Sequence, residues 1–341
     1  MKAAVLYGPK DLRIEEVPTP ILGKREVLVK VKVCGICGSD LHAYKGKHPD
    51  YILPVIPGHE FSGIVEEVGE EVRSVRPGDR VTVEPVKVCG RCYYCLRGQY
   101  NRCLNLKIIG AQTNGAFAEY VVVDENRVFK LPANMSFEEG AMIEPTAVAV
   151  HAIKRSSGVE GKDIMILGAG TIGLLILQVA KAFGADSIII TDIIDSRLSL
   201  AKELGADEVI NPSKGKLRDI VMGLTRGLGI SLAFEAVGVE ETLKDALTLA
   251  RKGGEIIVIG VFERPSIPIP IMEIVNKELV VKGSLIYRWD YETALRLVST
   301  GKVNVRKLIS VSLPLEKIRE AFEQALYRKD KVLKAQITIS K

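Results

Sequence analysis

Residues 163–192 read DIMILGAGTIGLLILQVAKAFGADSIIITD, and this stretch indicates how the surrounding chain folds. An apolar run, Ile164–Leu167, is followed by a glycine-rich turn and then by apolar residues at helical spacing. Gly184 stands where that helix is expected to end. A second apolar run, Ser187–Thr191, follows it. The stretch therefore predicts a strand, a helix and a second, parallel strand.

The turn of this unit has glycines at the spacing Gly-x-Gly-x-x-Gly, namely Gly168, Gly170 and Gly173. The spacing alone is a weak signal, because a glycine turn without special function also fits it. Its position between a strand and a helix predicts a dinucleotide site. The first two glycines let the backbone approach a pyrophosphate, and Gly173 lets the helix pack closely on the strand. The helix that begins around Ile172 then offers N–H groups to the phosphates.

Two residues beyond the turn bear on the choice of dinucleotide. Asp192 ends the second strand at about the separation expected for a ribose-binding acid. Its carboxylate would accept hydrogen bonds from the ribose hydroxyls and repel a 2′-phosphate, which favours NAD over NADP. Arg197 is expected either to lie on the adenine or to form a surface ion pair with Asp195.

Alternation of short apolar runs with helical segments extends this unit from Asp163 to about Gly283. It predicts an α/β fold in which a doubly wound parallel sheet carries helices on both faces. The predicted strands are Ile164–Leu167, Ser187–Thr191, Glu208–Ile210, Ser231–Glu235, Glu255–Ile259 and Leu279–Lys282.

The chain before and after this sheet has a different pattern. Residues up to about 125 are rich in β signals, such as the alternation of valines over 27–33. A helix is expected around 136–152, broken at Pro145, and the tail predicts two helices and a closing strand, Ala335–Ile339. We expect the tail to return to the first domain. The predicted domains are therefore 1–148 with 285–341, and 149–284.

Length, charge and cysteine use restrict the class of protein. The chain has 341 residues, a net charge of +5 with interleaved signs, and no apolar stretch long enough for a signal peptide or membrane span. These features predict a cytoplasmic enzyme with a small-molecule substrate and neither a nucleic-acid nor a membrane partner. Because such proteins rarely keep disulfides, the six cysteines are interpreted first as metal ligands.

Four cysteines form a compact motif, C-x2-C-x2-C-x7-C, at Cys89, Cys92, Cys95 and Cys103. Four thiolates can close a tetrahedron around Zn²⁺ and leave no position for a substrate, which is typical of a structural site. An iron–sulfur cluster is the main alternative. A zinc-ribbon module that binds nucleic acid is a more remote one. The basic, aromatic-rich face that it requires could come only from Arg91, Arg97 and Arg102 with Tyr93, Tyr94 and Tyr100.

A second group of possible ligands is spread along the sequence. Cys37 is followed closely by Ser39 and His42, the pair His59 and Glu60 lies in a Pro-Gly-His-Glu-Phe segment, and Glu144 precedes Pro145. Taken one at a time these are ordinary residues, since a single histidine or glutamate is more often structural than metal-binding.

The order of these segments resembles that of zinc-dependent medium-chain alcohol dehydrogenases, and most closely their sorbitol/polyol dehydrogenase branch. The shared motifs are Cys-Gly-Ile-Cys-Gly-Ser-Asp-Leu-His, Pro-Gly-His-Glu-Phe-Ser-Gly, the four-cysteine loop, Ile-Glu-Pro-Thr-Ala-Val-Ala-Val-His and Gly-Ala-Gly-Thr-Ile-Gly. The resemblance implies a GroES-like catalytic domain, a Rossmann domain that binds NAD, one catalytic and one structural Zn²⁺ per chain, and a homotetramer or dimer.

Carried over by position, the resemblance assigns roles to individual residues. It implies Cys37, His59 and Glu60 as ligands of the catalytic zinc, with Glu144 bound directly or through water. One thiolate and one carboxylate neutralise the charge of Zn²⁺, whereas a second carboxylate would weaken it as a Lewis acid. One of the two glutamates is therefore expected to leave the metal when alcohol binds. The resemblance also implies cofactor contacts from four residues near the ends of late strands, Gly260, Val261, Ser284 and Leu285.

The implied reaction is hydride transfer between a secondary alcohol and NAD. Ser39 is expected to hydrogen-bond the alcohol oxygen and His42 to pass the proton to solvent. Cys34 matches no ligand and is expected to be a small buried side chain. His48 and His151 are expected to be structural.

The sequence leaves the substrate open. The position of an arginine that contacts polyol in the sorbitol dehydrogenase branch holds Ile286 here, with Arg288 two places on. Tyr44, Arg288 and Trp289 are candidates to line a polar pocket. Threonine, butanediol and sugar-phosphate dehydrogenases of the same family therefore remain alternatives to a polyol dehydrogenase.

Overall fold

The computed structural model describes residues 1–340 and divides them into two compact units. The first comprises Met1–Glu144, Tyr291–Ser299 and the chain from Val305; the second comprises Pro145–Asp290 and Thr300–Asn304. The predicted domain boundaries, at 148/149 and 284/285, differ from these by a few residues and stay predictions.

The strands, in chain order, are β1 (Lys2–Gly8), β2 (Asp11–Glu16), β3 (Glu26–Gly35), β4 (Glu60–Val68), β5 (Arg80–Val83), β6 (Val86–Lys87), β7 (Lys107–Ile108), β8 (Tyr120–Asp124), β9 (Val128–Lys130), β10 (Asp163–Leu167), β11 (Ser187–Thr191), β12 (Glu208–Ile210), β13 (Ile230–Glu235), β14 (Ala250–Val258), β15 (Val280–Gly283), β16 (Ile309–Pro314) and β17 (Lys334–Thr338). The helices are α1 (Gly38–Tyr44), α2 (Phe137–Ala141), α3 (Ile143–Arg155), α4 (Thr171–Ala182), α5 (Asp195–Glu203), α6 (Leu217–Leu224), α7 (Glu240–Leu249), α8 (Ile271–Lys277), α9 (Tyr291–Ser299) and α10 (Ile318–Tyr327).

The first unit is built on a seven-stranded sheet with the order β16-β17-β3-β4-β5-β9, to which β8 adds by pairing with β3. The valines at 27, 29, 31 and 33 of β3 are all buried, as their alternation predicts. The antiparallel register of β3 and β4 sets Gly35 opposite Glu60, and β17 pairs with the other edge of β3. This arrangement brings three distant segments of the chain to one end of β3.

The second unit contains six parallel strands in the order β12-β11-β10-β13-β14-β15. This confirms the predicted doubly wound α/β sheet. Its strands are nearly continuous apolar runs because helices cover both faces. The turns after β10, β11, β14 and β15 share the carboxyl edge of the sheet, where open α/β sheets bind ligands.

Two details of the predicted secondary structure are wrong. The helix expected around 136–152 is interrupted at Met142 and not at Pro145, which is the third residue of α3. Proline is tolerated there because the first N–H groups of a helix have no intrahelical partner. The tail also contains a strand, β16, that was not predicted, although its ISVSLP sequence alternates apolar and polar residues.

Smaller differences concern the ends of strands. β14 begins at Ala250, five residues before its predicted start at Glu255, and β17 is Lys334–Thr338 rather than Ala335–Ile339. Strand ends are weakly determined by apolar pattern because flanking polar residues can still join the ladder. Among residues 1–340, no helix combines the length and apolar character needed to cross a membrane.

Candidate functional site

The four cysteines of the loop converge into one cluster, with all four sulfur atoms within 4.8 Å of one another. The Sγ atoms of Cys89 and Cys103 are 3.5 Å apart, and no disulfide joins any of the cysteines, all of which the structure describes. The backbone N–H groups of Cys95 and Leu104 lower the pKa of Cys92 to about 6, whereas burial raises the pKa of Cys95 to about 12. Four thiolates this close repel one another, and a bound cation would offset that repulsion.

A buried polar group holds this cysteine loop against the first unit. The Tyr100 hydroxyl donates to Glu84 Oε1 (2.5 Å), and the Arg127 guanidinium donates to Glu84 Oε2 (2.6 Å). The same guanidinium lies 4.3 Å from the centre of the Tyr100 ring. Since Tyr100 lies between Cys95 and Cys103, this group fixes the loop that carries the sulfur atoms.

The second cluster consists of Cys37, His59 and Glu60, whose ligand atoms also lie within 4.8 Å of one another. Cys37 is the N-cap of α1, and Glu60 is the first residue of β4. His59 and Glu60 are buried and Cys37 is partly buried. One sulfur, one imidazole nitrogen and one carboxylate form a suitable donor set for Zn²⁺, and three donors leave a fourth position open.

Asp40, to which the sequence analysis gave no role, lies behind this cluster. Its carboxylate is fully buried, accepts the backbone N–H of Cys37 (2.9 Å), and lies 3.7 Å from His59 Nδ1. Burial raises the pKa of Asp40 above its ordinary value. Burial lowers the pKa of His59, but the charges of Asp40 and Cys37 outweigh it and raise that pKa well above the ordinary value. No hydrogen bond joins the two groups at this distance, so Asp40 acts on the His59 ring through its charge.

Lys334, at the start of β17, is the other neighbour that the sequence analysis missed. Its side chain is 4% exposed, and its ammonium donates to both Glu60 oxygens (2.6 and 2.8 Å) and to the Ile36 carbonyl (3.1 Å). Burial lowers the pKa of Lys334, but Glu60 and Cys37 raise it to above its usual value. Gly35 makes room for this pair, since a Cβ there would overlap Glu60 Oε2.

The remaining proposed catalytic residues lie around the same cluster. Ser39 Oγ is 3.5 Å from His59 Nε2. His42 lies in the last turn of α1, three residues after Ser39 and thus on the same face of the helix. Glu144, the second residue of α3, is buried outside the group of three close ligands, and its charge raises the pKa of both His59 and Lys334.

The dinucleotide turn has the close packing that its glycines predict. Gly168 has a φ of +102°, and a Cβ at Gly173 would overlap the Gly168 carbonyl oxygen. Gly170 is the N-cap of α4, and Ile172 lies half-buried in its first turn. The first N–H groups of α4 are therefore available next to the turn.

Asp192 organises the neighbouring turn through its two oxygens. Oδ2 accepts the backbone N–H of Ala169 and Oδ1 that of Ile194, each at 2.9 Å. Arg197 lies 3.7 Å from Asp192 Oδ2. The alternative pairing of Arg197 with Asp195 is wrong, because Asp195 is paired with Lys214 (2.5 Å).

The other four proposed cofactor residues follow strands at the same edge of the second unit. Gly260 and Val261 come after β14, and Ser284 and Leu285 come after β15. A Cβ at Gly260 would overlap the backbone nitrogen of Gly238, so the backbone is closely packed here. Val261 and Leu285 are about half exposed.

Other sequence expectations have mixed outcomes. Cys34 is fully buried, and burial raises the pKa of its thiol well above the ordinary value. His151 is buried and pairs with Asp290 (2.9 Å), as expected of a structural histidine. Tyr44 was wrongly placed in a pocket, because it is buried in the core against Phe322 with ring centres 5.2 Å apart. Trp289 is 68% exposed.

Comparison with known proteins matches two family models to this chain. "Alcohol dehydrogenase GroES-like domain" matches residues 23–133, and "Zinc-binding dehydrogenase" matches residues 171–300. The sorbitol dehydrogenase of Bacillus subtilis is 36% identical, with 99% of this chain and 97% of that protein covered. The D-arabitol-phosphate dehydrogenase of Enterococcus avium is 41% identical, with 94% and 92% covered.

Among solved structures, a short chain alcohol dehydrogenase from Escherichia coli CFT073 complexed with NADH has a TM-score of 0.93 and 34% identity, with 99% of each chain covered. The likeness thus extends over both units and includes the segments that carry both cysteine-containing clusters. This chain belongs to the zinc-dependent medium-chain alcohol dehydrogenase family, in its sorbitol dehydrogenase-like branch.

Proposed function

We propose that this protein oxidises a secondary alcohol of the polyol class with NAD⁺, and reduces the corresponding ketone in reverse. The observation that carries the proposal is the group of Cys37, His59 and Glu60, of which the last two are buried, a zinc donor set with one position open. Ser39 lies beside it, 3.5 Å from His59. The same chain contains the dinucleotide turn at Gly168.

Zn²⁺, when held by Cys37, His59 and Glu60, supplies a Lewis acid that makes the alcohol hydroxyl easier to deprotonate. The Asp40 carboxylate lies behind the His59 ring, where its charge acts on the imidazole. Ser39 accepts the hydroxyl proton, and His42 passes it towards solvent. A bound nicotinamide would supply the acceptor for the hydride of the alcohol carbon, so that the products would be a ketone and NADH.

Lys334 bears on which glutamate is the direct ligand. Its ammonium already holds both oxygens of Glu60, so Glu60 has an alternative partner when it leaves the metal. Glu144 is near enough for its charge to act on His59 and Lys334. We propose that Glu60 would be the carboxylate that leaves the metal, with Lys334 as its counter-ion, and that Glu144 would hold the metal directly or through water.

The four-cysteine cluster is proposed to hold the structural Zn²⁺. Four thiolates fill a tetrahedral coordination shell, so this site has no place for substrate. A reducing compartment, the cytoplasm in this proposal, keeps all six thiols available.

NAD is proposed as the cofactor over NADP because the Asp192 carboxylate occupies the edge where a 2′-phosphate would have to bind. Replacing Asp192 with alanine is expected to raise the apparent KM for NAD⁺ and to relax discrimination against NADP⁺. A ratio of the two kcat/KM values equal to that of the wild type would argue against this assignment.

The substrate is the least determined part of the proposal. Ile286 occupies the position of the branch's polyol-binding arginine, while the half-buried Arg288 follows at the carboxyl edge of the second unit. A guanidinium suits a phosphate or carboxylate, and one relative is named for a polyol phosphate. A sugar-phosphate dehydrogenase is therefore the second candidate, followed by threonine and butanediol dehydrogenases.

A substrate panel tests these assignments. Polyols, diols, L-threonine and sugar phosphates would be supplied with NAD⁺, with and without a chelator, and NADH followed at 340 nm. We expect production with at least one secondary alcohol and its loss after chelation. A protein that makes no NADH with any of them and that retains nucleic acid at moderate salt would instead be a zinc-ribbon binding protein.

A homotetramer built from dimers is proposed as the assembly. Strand β15 is an edge strand whose valines are half exposed, and α8 beside it exposes further apolar side chains. Such an edge invites pairing with a second copy of the chain. The apolar side chains concerned are Ile271, Met272, Val275, Val280 and Val281. Light scattering would measure the assembly mass.

A further inference from the structure

Glu235, the last residue of β13, has a fully buried carboxylate that the proposed function does not use. Its Oε1 atom accepts three hydrogen bonds, from the backbone N–H groups of Val237 (2.9 Å) and Gly238 (2.8 Å) and from the hydroxyl of Thr242 (2.8 Å). The other oxygen, Oε2, has no hydrogen-bond partner among residues 1–340. The hydrogen bonds of this side chain therefore all hold the turn between β13 and α7.

The backbone of Glu235 holds a second turn, the one that follows β14. Its carbonyl oxygen accepts the N–H groups of Ile259 (2.9 Å) and Gly260 (3.0 Å). The two turns are also packed closely, because a Cβ at Gly238 would overlap the Val261 carbonyl oxygen and one at Gly260 would overlap the Gly238 nitrogen. Gly238 has a φ of +82°, which favours glycine at this contact. One residue therefore fixes two neighbouring turns relative to each other.

Both turns lie on one side of the proposed dinucleotide turn. Strand β13 pairs with β10, and Glu235 stands opposite Leu167, the residue just before Gly168. Asp192 follows β11, which pairs with the other edge of β10. The proposed sites put the adenosine ribose at Asp192 and the pyrophosphate at Gly168. The nicotinamide half is therefore expected over the ends of β13 and β14.

We infer that Glu235 is a positioning residue for the nicotinamide half of the cofactor. It acts by holding the turns after β13 and β14, the second of which carries the proposed cofactor residues Gly260 and Val261. An amide in place of the carboxylate removes the negative charge that strengthens the three hydrogen bonds to Oε1. The turns would then be held less firmly, while the adenosine side of the site keeps its own contacts. This inference rests on the proposed function, in which the cofactor is NAD.

The test is isothermal titration calorimetry of Glu235→Gln with two probes, NADH and ADP. ADP lacks the nicotinamide half, so it reports on the adenosine side alone. The dissociation constant for NADH is expected to rise by about tenfold, because hydrogen bonds to a charged acceptor are roughly twice as strong as those to a neutral one. The constant for ADP is expected to stay within about twofold of the wild type, since its contacts are independent of Glu235. General damage to the fold would raise both constants.

Glu255→Gln is the matched control, because Glu255 is also a buried glutamate of this sheet that accepts a backbone N–H and a hydroxyl. Both donors belong to Ser157 (2.8 and 2.7 Å), which precedes β10 at the opposite edge of the sheet. Glu255 also pairs with Lys282 (2.5 Å), so its replacement should lower the thermal midpoint at least as much as that of Glu235. It is nevertheless expected to bind both probes as the wild type does.

Two threonines of α7 test the same hydrogen bonds without replacing the carboxylate. Thr242→Val removes one of the three donors to Glu235 and is expected to raise the dissociation constant for NADH by about threefold. Thr248→Val is its control, because each hydroxyl also lies within hydrogen-bond distance of a carbonyl in the preceding turn, that of Val239 (3.0 Å) or Lys244 (2.9 Å). This pair of variants decides the question if Glu235→Gln does not fold.

Equal losses of NADH and ADP binding in Glu235→Gln would overturn the inference, as would unchanged NADH binding or an equal effect of Glu255→Gln. NADH binding that is the same in Thr242→Val and Thr248→Val would also contradict it. These results leave the proposed function standing, because the wild type would still bind NADH and oxidise alcohol. A wild type that binds no NADH removes the proposed function and the inference with it.

Discussion

The two cysteine-containing clusters differ in how the chain assembles them. One draws all four sulfur atoms from a single loop, Cys89–Cys103, at the partly exposed surface of the first unit. The other collects its donors from separate segments and buries them at one end of β3. The loop has a full tetrahedral set, whereas the second cluster has three close donors and a further carboxylate nearby.

The surroundings differ as much as the ligands. The cluster of Cys37, His59 and Glu60, called the open cluster because it leaves one coordination position free, lies next to two charged groups that are themselves buried, Asp40 and Lys334. The loop is held by Tyr100, whose hydroxyl donates to Glu84 and so fixes the backbone that carries the sulfur atoms. This difference indicates that the closed site is supported through its backbone, while the open site is also supported by buried charges next to its donor atoms.

The largest expected effect comes from removing one ligand of the cluster of Cys37, His59 and Glu60. Cys37→Ala is expected to lower kcat by at least about 1,000-fold, because the metal that activates the hydroxyl is lost. The measured zinc content should fall from two ions per chain to one, and the remaining ion should be held by the four-cysteine loop. Substantial activity in this variant would show that the cluster of Cys37, His59 and Glu60 is not the catalytic site.

Lys334→Met removes the counter-ion of Glu60 while keeping most of the length of the side chain. It leaves a buried carboxylate unpaired, so we expect a loss of about 3–5 kcal/mol in the free energy of unfolding. Because Glu60 then has only the metal as a partner, kcat is expected to fall by about 10- to 100-fold. Urea unfolding and initial rates measure the two effects.

The control for Lys334→Met is Lys2→Met, which breaks a lysine–glutamate pair of the same kind at the surface. Lys2 lies 3.1 Å from Glu316, and both side chains are about half exposed. Exposed pairs contribute little, so this variant should match the wild type within about 1 kcal/mol. Equal effects of the two substitutions would mean that the burial of Lys334 has no special consequence.

The smallest expected effect concerns the loop. Tyr100→Phe removes one hydrogen bond to Glu84 and is expected to speed zinc release by about fivefold, the equivalent of about 1 kcal/mol. Activity should be unchanged while zinc remains bound. Tyr93→Phe, at an exposed tyrosine of the same loop, should release zinc at the wild-type rate. A colorimetric chelator follows the release, and identical rates for the two variants would contradict the anchoring role of Tyr100.

The sequence predicts local features of both units well. The glycine turn and the four-cysteine loop each lie within a short segment, so their spacing determines their geometry, and the alternation after Asp163 predicts all six strands of the parallel sheet. Cys37, His59 and Glu60 could be grouped only through the family resemblance, because spacing says nothing about segments that meet by strand pairing.

What the sequence could not predict depends on long-range contacts. Lys334 is 274 residues from Glu60, and only the pairing of β17 with β3 brings them together. A lysine at the start of a strand ordinarily suggests exposure. Tyr51 is 11 residues from Asp40 in a loop without periodicity, so nothing indicated that its hydroxyl would reach the carboxylate. Tyr44 was misplaced for the opposite reason, since an aromatic residue near a site motif can equally be part of the core.

The most direct test of the central claim is a zinc titration of the metal-stripped protein, with bound zinc and NADH formation measured on the same samples. The account predicts that alcohol oxidation is absent without zinc and appears only as the cluster of Cys37, His59 and Glu60 fills. In a parallel titration, Cys37→Ala should take up zinc in the loop and remain inactive. Undiminished alcohol oxidation by the stripped protein, or a rate that follows the filling of the four-cysteine loop alone, would contradict it.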